Sequence, residues 1–179
     1  LSAFFLLLVS FLQDAVKIIQ LKQEFTIKDI AYDNYISSKN KISEKDYTIY
    51  IKENDVFVPY LVITSDYNGN TLLLRKYVLE KKYSFDIESL EVYYENSSLD
   101  KFLNEEYIKT LDTYIQNNVI ETSILVTKGG ANQKGEFTVY TYQIEGKCFV
   151  RPAFCVSNSL LIEESLEVIE NETVYVVKK

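Results

Sequence analysis

The sequence predicts an α+β protein: a long hydrophobic-then-amphipathic N-terminal helix, an antiparallel-sheet domain behind it, and one further helix. Three observations predict this. Residues 1–12 (LSAFFLLLVSFL) are almost wholly apolar and run into residues 13–36 with no Gly or Pro before Pro59. Residues 13–36 then carry apolar side chains at helical spacing. Finally, 15 Tyr and 10 Phe stand against 5 Gly and 2 Pro, a balance that suits a strand-rich body and excludes disorder. At 179 residues the chain divides into residues 1–38, an assembly or anchor helix, and residues 39–179, an α+β surface domain.

A membrane-spanning helix needs about 20 apolar residues. The apolar run is shorter than that, and Gln13, Asp14 and Lys17 follow at once. Three readings fit: a secretory h-region, the second half of a membrane anchor, or the apolar start of a filament subunit. A signal peptide has a basic segment before it and a small-residue cleavage site after it, and neither is present here. Ile18, Leu21, Phe25, Tyr32 and Tyr35 form one helical stripe, with Gln20, Lys22, Gln23, Glu24, Lys28 and Asp29 mainly off it. A helix that leaves an apolar environment and packs on a sheet needs such a stripe. Its expected end is the polar run at residues 37–40. The chain has no Met, so Leu1 is not an initiator and a processed or partial chain is expected.

This pattern over residues 1–40 resembles the type IV pilin superfamily in the broad sense, Tad-type pilin-like proteins included. The resemblance implies a helix that anchors the subunit in the membrane and later forms the filament core. Leu1, Phe4, Phe5, Leu8, Phe11, Leu12, Ile18, Leu21 and Phe25 would be its assembly residues. The chain departs from the family at position 5, where Phe5 replaces the usual acid; the first acid is Asp14.

Strands follow. Residues 47–52 (YTIYIK), 56–64 (VFVPYLVIT) and 71–78 (TLLLRKYV) are β-branched and aromatic. Asn68-Gly69 between apolar runs is a strong hairpin signal, since both turn positions must tolerate positive φ. That segment is a poor calcium loop: its Gly comes too early and no bidentate Glu closes it. Residues 99–116 read as the second helix, with Phe102, Leu103, Tyr107, Leu111, Tyr114 and Ile115 on its apolar face. Asn96, Ser97 or Ser98 would cap it, and Asp100, Glu105 and Glu106 suit its positive end. Adjacent Glu105 and Glu106 diverge by about 100° on a helix, so they form a solvated face and no acid–base pair. Further strands are expected at residues 121–127, 137–144, 147–156, 160–166 and 174–177, with turns at 128–130 and 145–146. The 128–130 turn lacks the spacing of a phosphate loop.

The charge of −7 and pI near 4.8 argue against nucleic acid as a partner. The chain has no His, which removes the usual general base and the commonest transition-metal ligand. Cys148 and Cys155 cannot complete a four-ligand zinc site alone; in an exported protein they form a disulfide, otherwise two buried thiols. Asn96 and Asn171 begin N-glycosylation acceptor tripeptides. Arg151, the one charge within residues 149–156, is an anion contact or, more simply, a structural donor to a carboxylate or loop carbonyls.

Three patches carry a second resemblance. Residues 62–74 match an early strand pair. Residues 94–104 (YENSSLDKFLN) match W-x-x-S-x-[LI]-R-x-W-L-N, with Tyr94 and Phe102 in place of Trp. Residues 150–153 match V-R-P-A. Residues 56–156 thus resemble an uncharacterised domain family of Firmicutes surface and secreted proteins, itself distantly similar to C-type-lectin-like folds. The resemblance implies a surface location and a fold, with no activity attached; the family's Trp-Leu-Arg-Ser segment before V-R-P-A is missing here.

The expected function is structural. A membrane-inserted precursor becomes an extracellular pilus-like filament subunit, with itself as partner through the N-terminal helix. Burying residues 1–12 would stabilise the polymer by about 25 cal/mol per Å² of apolar surface. The alternative is a membrane-anchored, lectin-like binding module recognising a surface glycan or protein. No catalytic residues, metal or cofactor are expected, and no nucleophile has a recognisable base partner. On the filament reading, deleting residues 1–12 leaves a soluble monomer by analytical ultracentrifugation; polymers that persist would overturn it.

Overall fold

The computed structural model describes residues 24–36, 42–81, 83–84, 98–120, 130–131, 137–138, 147–169 and 171–179. The apolar residues 1–12 and the strands expected at 121–127 and over most of 137–144 lie outside them.

Two tight turns start the sheet. Strands β1 (Thr48–Glu53) and β2 (Val56–Tyr67) meet at Asn54 and Asp55, with φ of 47° and 66°. β2 and β3 (Asn70–Arg75) meet at the expected Asn68-Gly69, with φ of 51° and 75°. Asn, Asp and Gly tolerate this left-handed backbone, whose twist matches that of the flanking strands. The short strands β4 (Tyr83–Ser84) and β7 (Lys147–Cys148) pair with each other, as do β5 (Gly130–Ala131) and β6 (Phe137–Thr138). β8 (Ala153–Val156), β9 (Ile162–Glu164) and β10 (Tyr175–Val177) complete a six-stranded sheet of order β8-β3-β2-β1-β10-β9.

That sheet corrects the antiparallel expectation: β10 runs parallel to β1, with Ile49 opposite Tyr175 and Tyr50 opposite Val176. β2 already occupies one edge of β1, so the β9–β10 hairpin closes the other, at the cost of a connection spanning most of the domain. The strand expected over 147–156 is split between two sheets. The first piece ends at Cys148, and Pro152, which cannot donate to a ladder, immediately precedes β8.

The long N-terminal helix is also corrected. Thr26 bridges Leu161 in extended conformation, Ile27 N–H donates to the Leu160 carbonyl (2.8 Å), and Ile162 N–H donates to the Phe25 carbonyl (2.9 Å). A new helical turn then starts. Asp29 Oδ2 accepts from the Thr26 N–H (2.8 Å) and hydroxyl (2.7 Å), a helix-start arrangement that the apolar periodicity hides. The turn Ile27–Ile30 is 3-10, Ala31 is extended, and α1 (Tyr32–Ile36) is a single short helix. Among the described residues no helix is long and apolar enough to cross a membrane.

The helix expected at 99–116 is broken as well. It runs as α2 (Ser98–Lys101), a π turn (Phe102–Glu106) and a 3-10 turn (Tyr107–Thr110). Leu111 is extended and bridges Glu53, because the end of the β1–β2 hairpin offers unpaired backbone groups. Asn54 N–H takes the Thr110 carbonyl (2.7 Å) and Asp112 N–H gives to the Lys52 carbonyl (2.9 Å). Asp112 then caps α3 (Thr113–Gln116), its Oδ1 accepting from Tyr114 N–H at 2.9 Å.

All these helical pieces cover one face of the sheet. Ile49, Tyr60, Val62, Leu73 and Phe154 stand in register across four strands, and Ile27, Ile30, Leu99, Leu103 and Ile115 close over them, all at most 2% exposed. Asp33 fixes α1 to an irregularity in β2, accepting from Thr64 Oγ1 (2.7 Å) and Ser65 N–H (3.0 Å) where the β2–β3 register shifts. Asp33→Ala is expected to lower unfolding stability by about 1.5–3 kcal/mol, the usual worth of hydrogen bonds to a charged acceptor. Urea denaturation checks this; an unchanged midpoint would show that the bulge holds itself.

Candidate binding site

The sheet's polar centre lies on its interior strands, where four elements converge. Glu53 ends β1, Tyr60 lies on β2 directly opposite Arg75 on β3, and Tyr107 comes from the 3-10 turn. Glu53 Oε1 accepts from the Tyr60 hydroxyl (2.5 Å), the Tyr107 hydroxyl (2.8 Å) and Arg75 Nε (2.9 Å), while Arg75 Nη2 reaches Oε2 at 3.3 Å. The two tyrosine hydroxyls also touch each other. Arg75 Nη1 donates to the carbonyls of Tyr77 and Val78, at 2.5 and 3.0 Å.

Burial works to lower the Arg75 pKa, but hydrogen bonding and charge from Glu53 outweigh it and the guanidinium is held above its ordinary value. Burial pushes both tyrosines up; in Tyr60 the neighbouring Tyr107 and then the charge of Glu53 add to it, and in Tyr107 the charge of Glu53 does. Both rings are at most 2% exposed, so no ligand reaches them. This cluster ties four elements together; its tyrosine rings are buried, and the Glu53 and Arg75 side chains keep 10% and 14% of their surface exposed.

The open features lie elsewhere, on either side of Tyr50. One cleft of about 320 Å³ sits where α3 passes the ends of β1 and β10. The rings of Tyr50, Phe57 and Tyr114 line it, with Lys52, Asp112, Glu163 and Lys179 between them. Lys179 Nζ donates to Asp112 Oδ2 at 2.6 Å, and Lys52 Nζ lies 4.9 Å from the Phe57 ring centroid. That hydrogen bond, against the effect of burial, holds the Asp112 carboxyl below its usual range. The second cleft, about 380 Å³, is polar: Lys45, Asp46, Thr48, Lys76, Glu164 and Glu172 line it with Tyr50 and Tyr175. Two ion pairs border it, Lys45–Glu172 (3.7 Å) and Lys76–Glu44 (2.7 Å). Among the described residues no group of three or more His, Cys, Asp or Glu could hold a metal ion.

Of the sequence-predicted residues, Leu1, Phe4, Phe5, Leu8, Phe11, Leu12, Ile18, Leu21 and Asn96 lie outside the described ones. Phe25 is 39% exposed, its ring 5.5 Å from that of Tyr175. Cys155 is buried on β8 opposite Leu72; Cys148 pairs through its backbone with Tyr83, and its side chain lies outside the described set. Asn171 is exposed in a tight turn with φ of 66°. Arg151 acts as a structural donor, its Nε giving to the Arg75 carbonyl at 3.0 Å, while Arg75 N–H gives to the Pro152 carbonyl at 2.8 Å. Sequence reasoning missed Glu53, Tyr60, Arg75 and Tyr107. The signal was Arg75, a charge closing the apolar run Leu72-Leu73-Leu74, which asks for an acidic partner nearby.

Residues 68–149 match a family model described as a domain of unknown function (DUF6273). No curated protein and no solved structure matches the chain. The matched span starts at the Asn68-Gly69 turn and takes in Arg75 and Tyr107, but stops before Arg151. It also leaves out Tyr50, Phe57, Glu163 and Lys179, so most of the aromatic cleft is built by residues outside it.

The buried tyrosines set an alkaline limit. An unfolded tyrosine ionises near the ordinary value of 10.0, whereas the folded pair, raised above it, stays protonated. Their contribution is complete below about pH 10 and is lost as pH rises above it. Tyr107→Phe is expected to flatten the fall in urea midpoint between about pH 9 and 11. A wild-type slope in that variant would show that other groups set the limit.

Proposed function

We propose that this chain is a cell-surface binding module that recognises a glycan. The aromatic cleft carries the reading. Three rings and several mutually satisfied polar groups face a cavity of about 320 Å³, in the size range of small-molecule sites. Aromatic faces pack on the apolar faces of sugar rings, and paired carboxylates and amines offer acceptors and donors to hydroxyls. Lys179 and Asp112 neutralise each other, so the cleft does not require a strongly charged ligand. Hydroxyls that meet carboxylates among the described residues, such as Thr64 on Asp33 and Tyr60 and Tyr107 on Glu53, are hydrogen-bonded within the fold, and none of these lines the cleft.

A filament subunit is the competing reading, and it needs a helix continuous from residues 1–12 into the body. The extended backbone at Phe25 and Thr26 removes that continuity, and Ile27 and Ile30 are spent inside the domain. The binding reading asks nothing of those residues beyond a tether that displays the body outside the cell.

Isothermal titration with soluble gluco-, manno- and chito-oligosaccharides tests the proposal. Binding is expected to fall about tenfold in Phe57→Ala and in Tyr114→Ala, about 1.4 kcal/mol for a lost ring contact; Tyr114 also packs against the core, so its variant is titrated where it remains folded. Absence of heat with every sugar in the panel would overturn it.

A further inference from the structure

Tyr50 is the side chain common to both clefts: the aromatic one lies on one side of it and the polar one on the other. Its strand neighbour Val176 also lines the first cleft, while Val174 and Tyr175 line the second. Seven residue steps separate Glu172 in one cleft from Lys179 in the other, at most about 23 Å of chain at about 3.3 Å per residue. That length exceeds what a disaccharide covers.

We infer that the two clefts are subsites of one extended site along the β1–β10 pair, and that its ligand is a linear, uncharged oligosaccharide crossing Tyr50. This rests on the glycan-binding reading above and names the form of the ligand. Two observations select a sugar chain over an extended peptide. First, peptide strands bind sheets by adding to a free backbone edge. β1 already lies between β2 and β10, and β10 between β1 and β9, so neither strand offers such an edge. Along this pair recognition comes from side chains; the outer strand on this side of the sheet is β9, whose Glu163 and Glu164 line the two clefts. Second, most charges along the path other than Glu163 and Glu164 are spent on one another or on the backbone. Lys179 pairs with Asp112, Lys45 with Glu172 and Lys76 with Glu44. Asp46 Oδ2 accepts from Ser43 N–H at 3.0 Å, and Lys52 rests over Phe57. A lining of paired donors and acceptors suits a ligand rich in hydroxyls and poor in charge.

The two subsites divide the work. The aromatic cleft supplies ring faces and most of the affinity. The polar cleft, with Thr48, Thr173 and two bordering ion pairs, supplies hydrogen bonds that read the chain's continuation. Tyr50, only 8% exposed, is the fixed partition over which the chain bends.

The test is a length ladder, from disaccharide to hexasaccharide, of whichever gluco-, manno- or chito-series the intact chain binds, titrated against wild type and Thr173→Trp. Thr173 is exposed at the rim of the polar cleft, so a Trp there obstructs the cleft without disturbing the core. In wild type, affinity is expected to rise about tenfold between the shortest and longest chains. In Thr173→Trp the long chains fall to the affinity of the short ones, which are unchanged. Affinity independent of length, or a ladder that Thr173→Trp leaves intact, overturns the two-subsite inference while glycan binding stands. Absence of binding to every series at every length overturns both.

Discussion

The Glu53 carboxylate is the constraint on which the rest of the structure depends. Four donor atoms from three other elements converge on it. The two tyrosine hydroxyls each meet Oε1 and also touch each other, so the three oxygens form one closed group. A buried ion pair gains little over a well-packed apolar cluster, but breaking one member leaves an uncompensated charge and typically costs about 3–5 kcal/mol. The cluster therefore gives specificity of arrangement. It sets which helical turn meets which strand, because only Tyr107 in that turn presents a hydroxyl at that place. Arg75 carries the constraint onward, since its own backbone binds the 151–152 segment on both sides.

From this anchor follows the break at Leu111. Once Tyr107 is tied to Glu53, the chain beyond it passes the open end of the β1–β2 hairpin, where Lys52 and Asn54 have backbone groups to satisfy. An ideal helix through residue 116 would keep its own hydrogen bonds and leave those groups unpaired. The observed path satisfies both sets, and Asp112 restarts the helix with its own side chain. The apolar positions Leu103, Tyr107, Leu111 and Ile115 keep helical spacing in sequence, and all four are buried, so the periodicity correctly marked the face while concealing the interruption.

That example shows what was legible and what was not. Local chemistry read well: Asn68-Gly69 formed the expected hairpin, and three early strands lay within a few residues of their expected bounds. Long-range pairing read badly. Nothing in residues 174–177 says whether they join β1 parallel or antiparallel, since both orders bury the same side chains. The N-terminal stripe misled for a related reason. Ile27 and Ile30 are buried as a helical face would be, but Thr26 and Asp29 start a fresh turn, and Phe25 hydrogen-bonds across to Ile162. The candidate site was least legible of all. Tyr50, Phe57, Tyr114, Glu163 and Lys179 are scattered along the chain, and none belongs to a motif.

The same topology that defeated the strand reading also shapes the site. In an antiparallel meander the C-terminal hairpin would flank β1 through a short connection and leave one strand edge at the rim. Here β9 and β10 arrive from across the domain and seal the edge of β1, so the backbone near Tyr50 is spent on the sheet. What remains available at the ends of β1 and β10 is a set of side chains: rings, paired charges and hydroxyls. A surface of that kind discriminates by shape and hydrogen-bond pattern. It is suited to a ligand that brings its own dense array of donors and acceptors, and poorly suited to one that needs a strand to lie against.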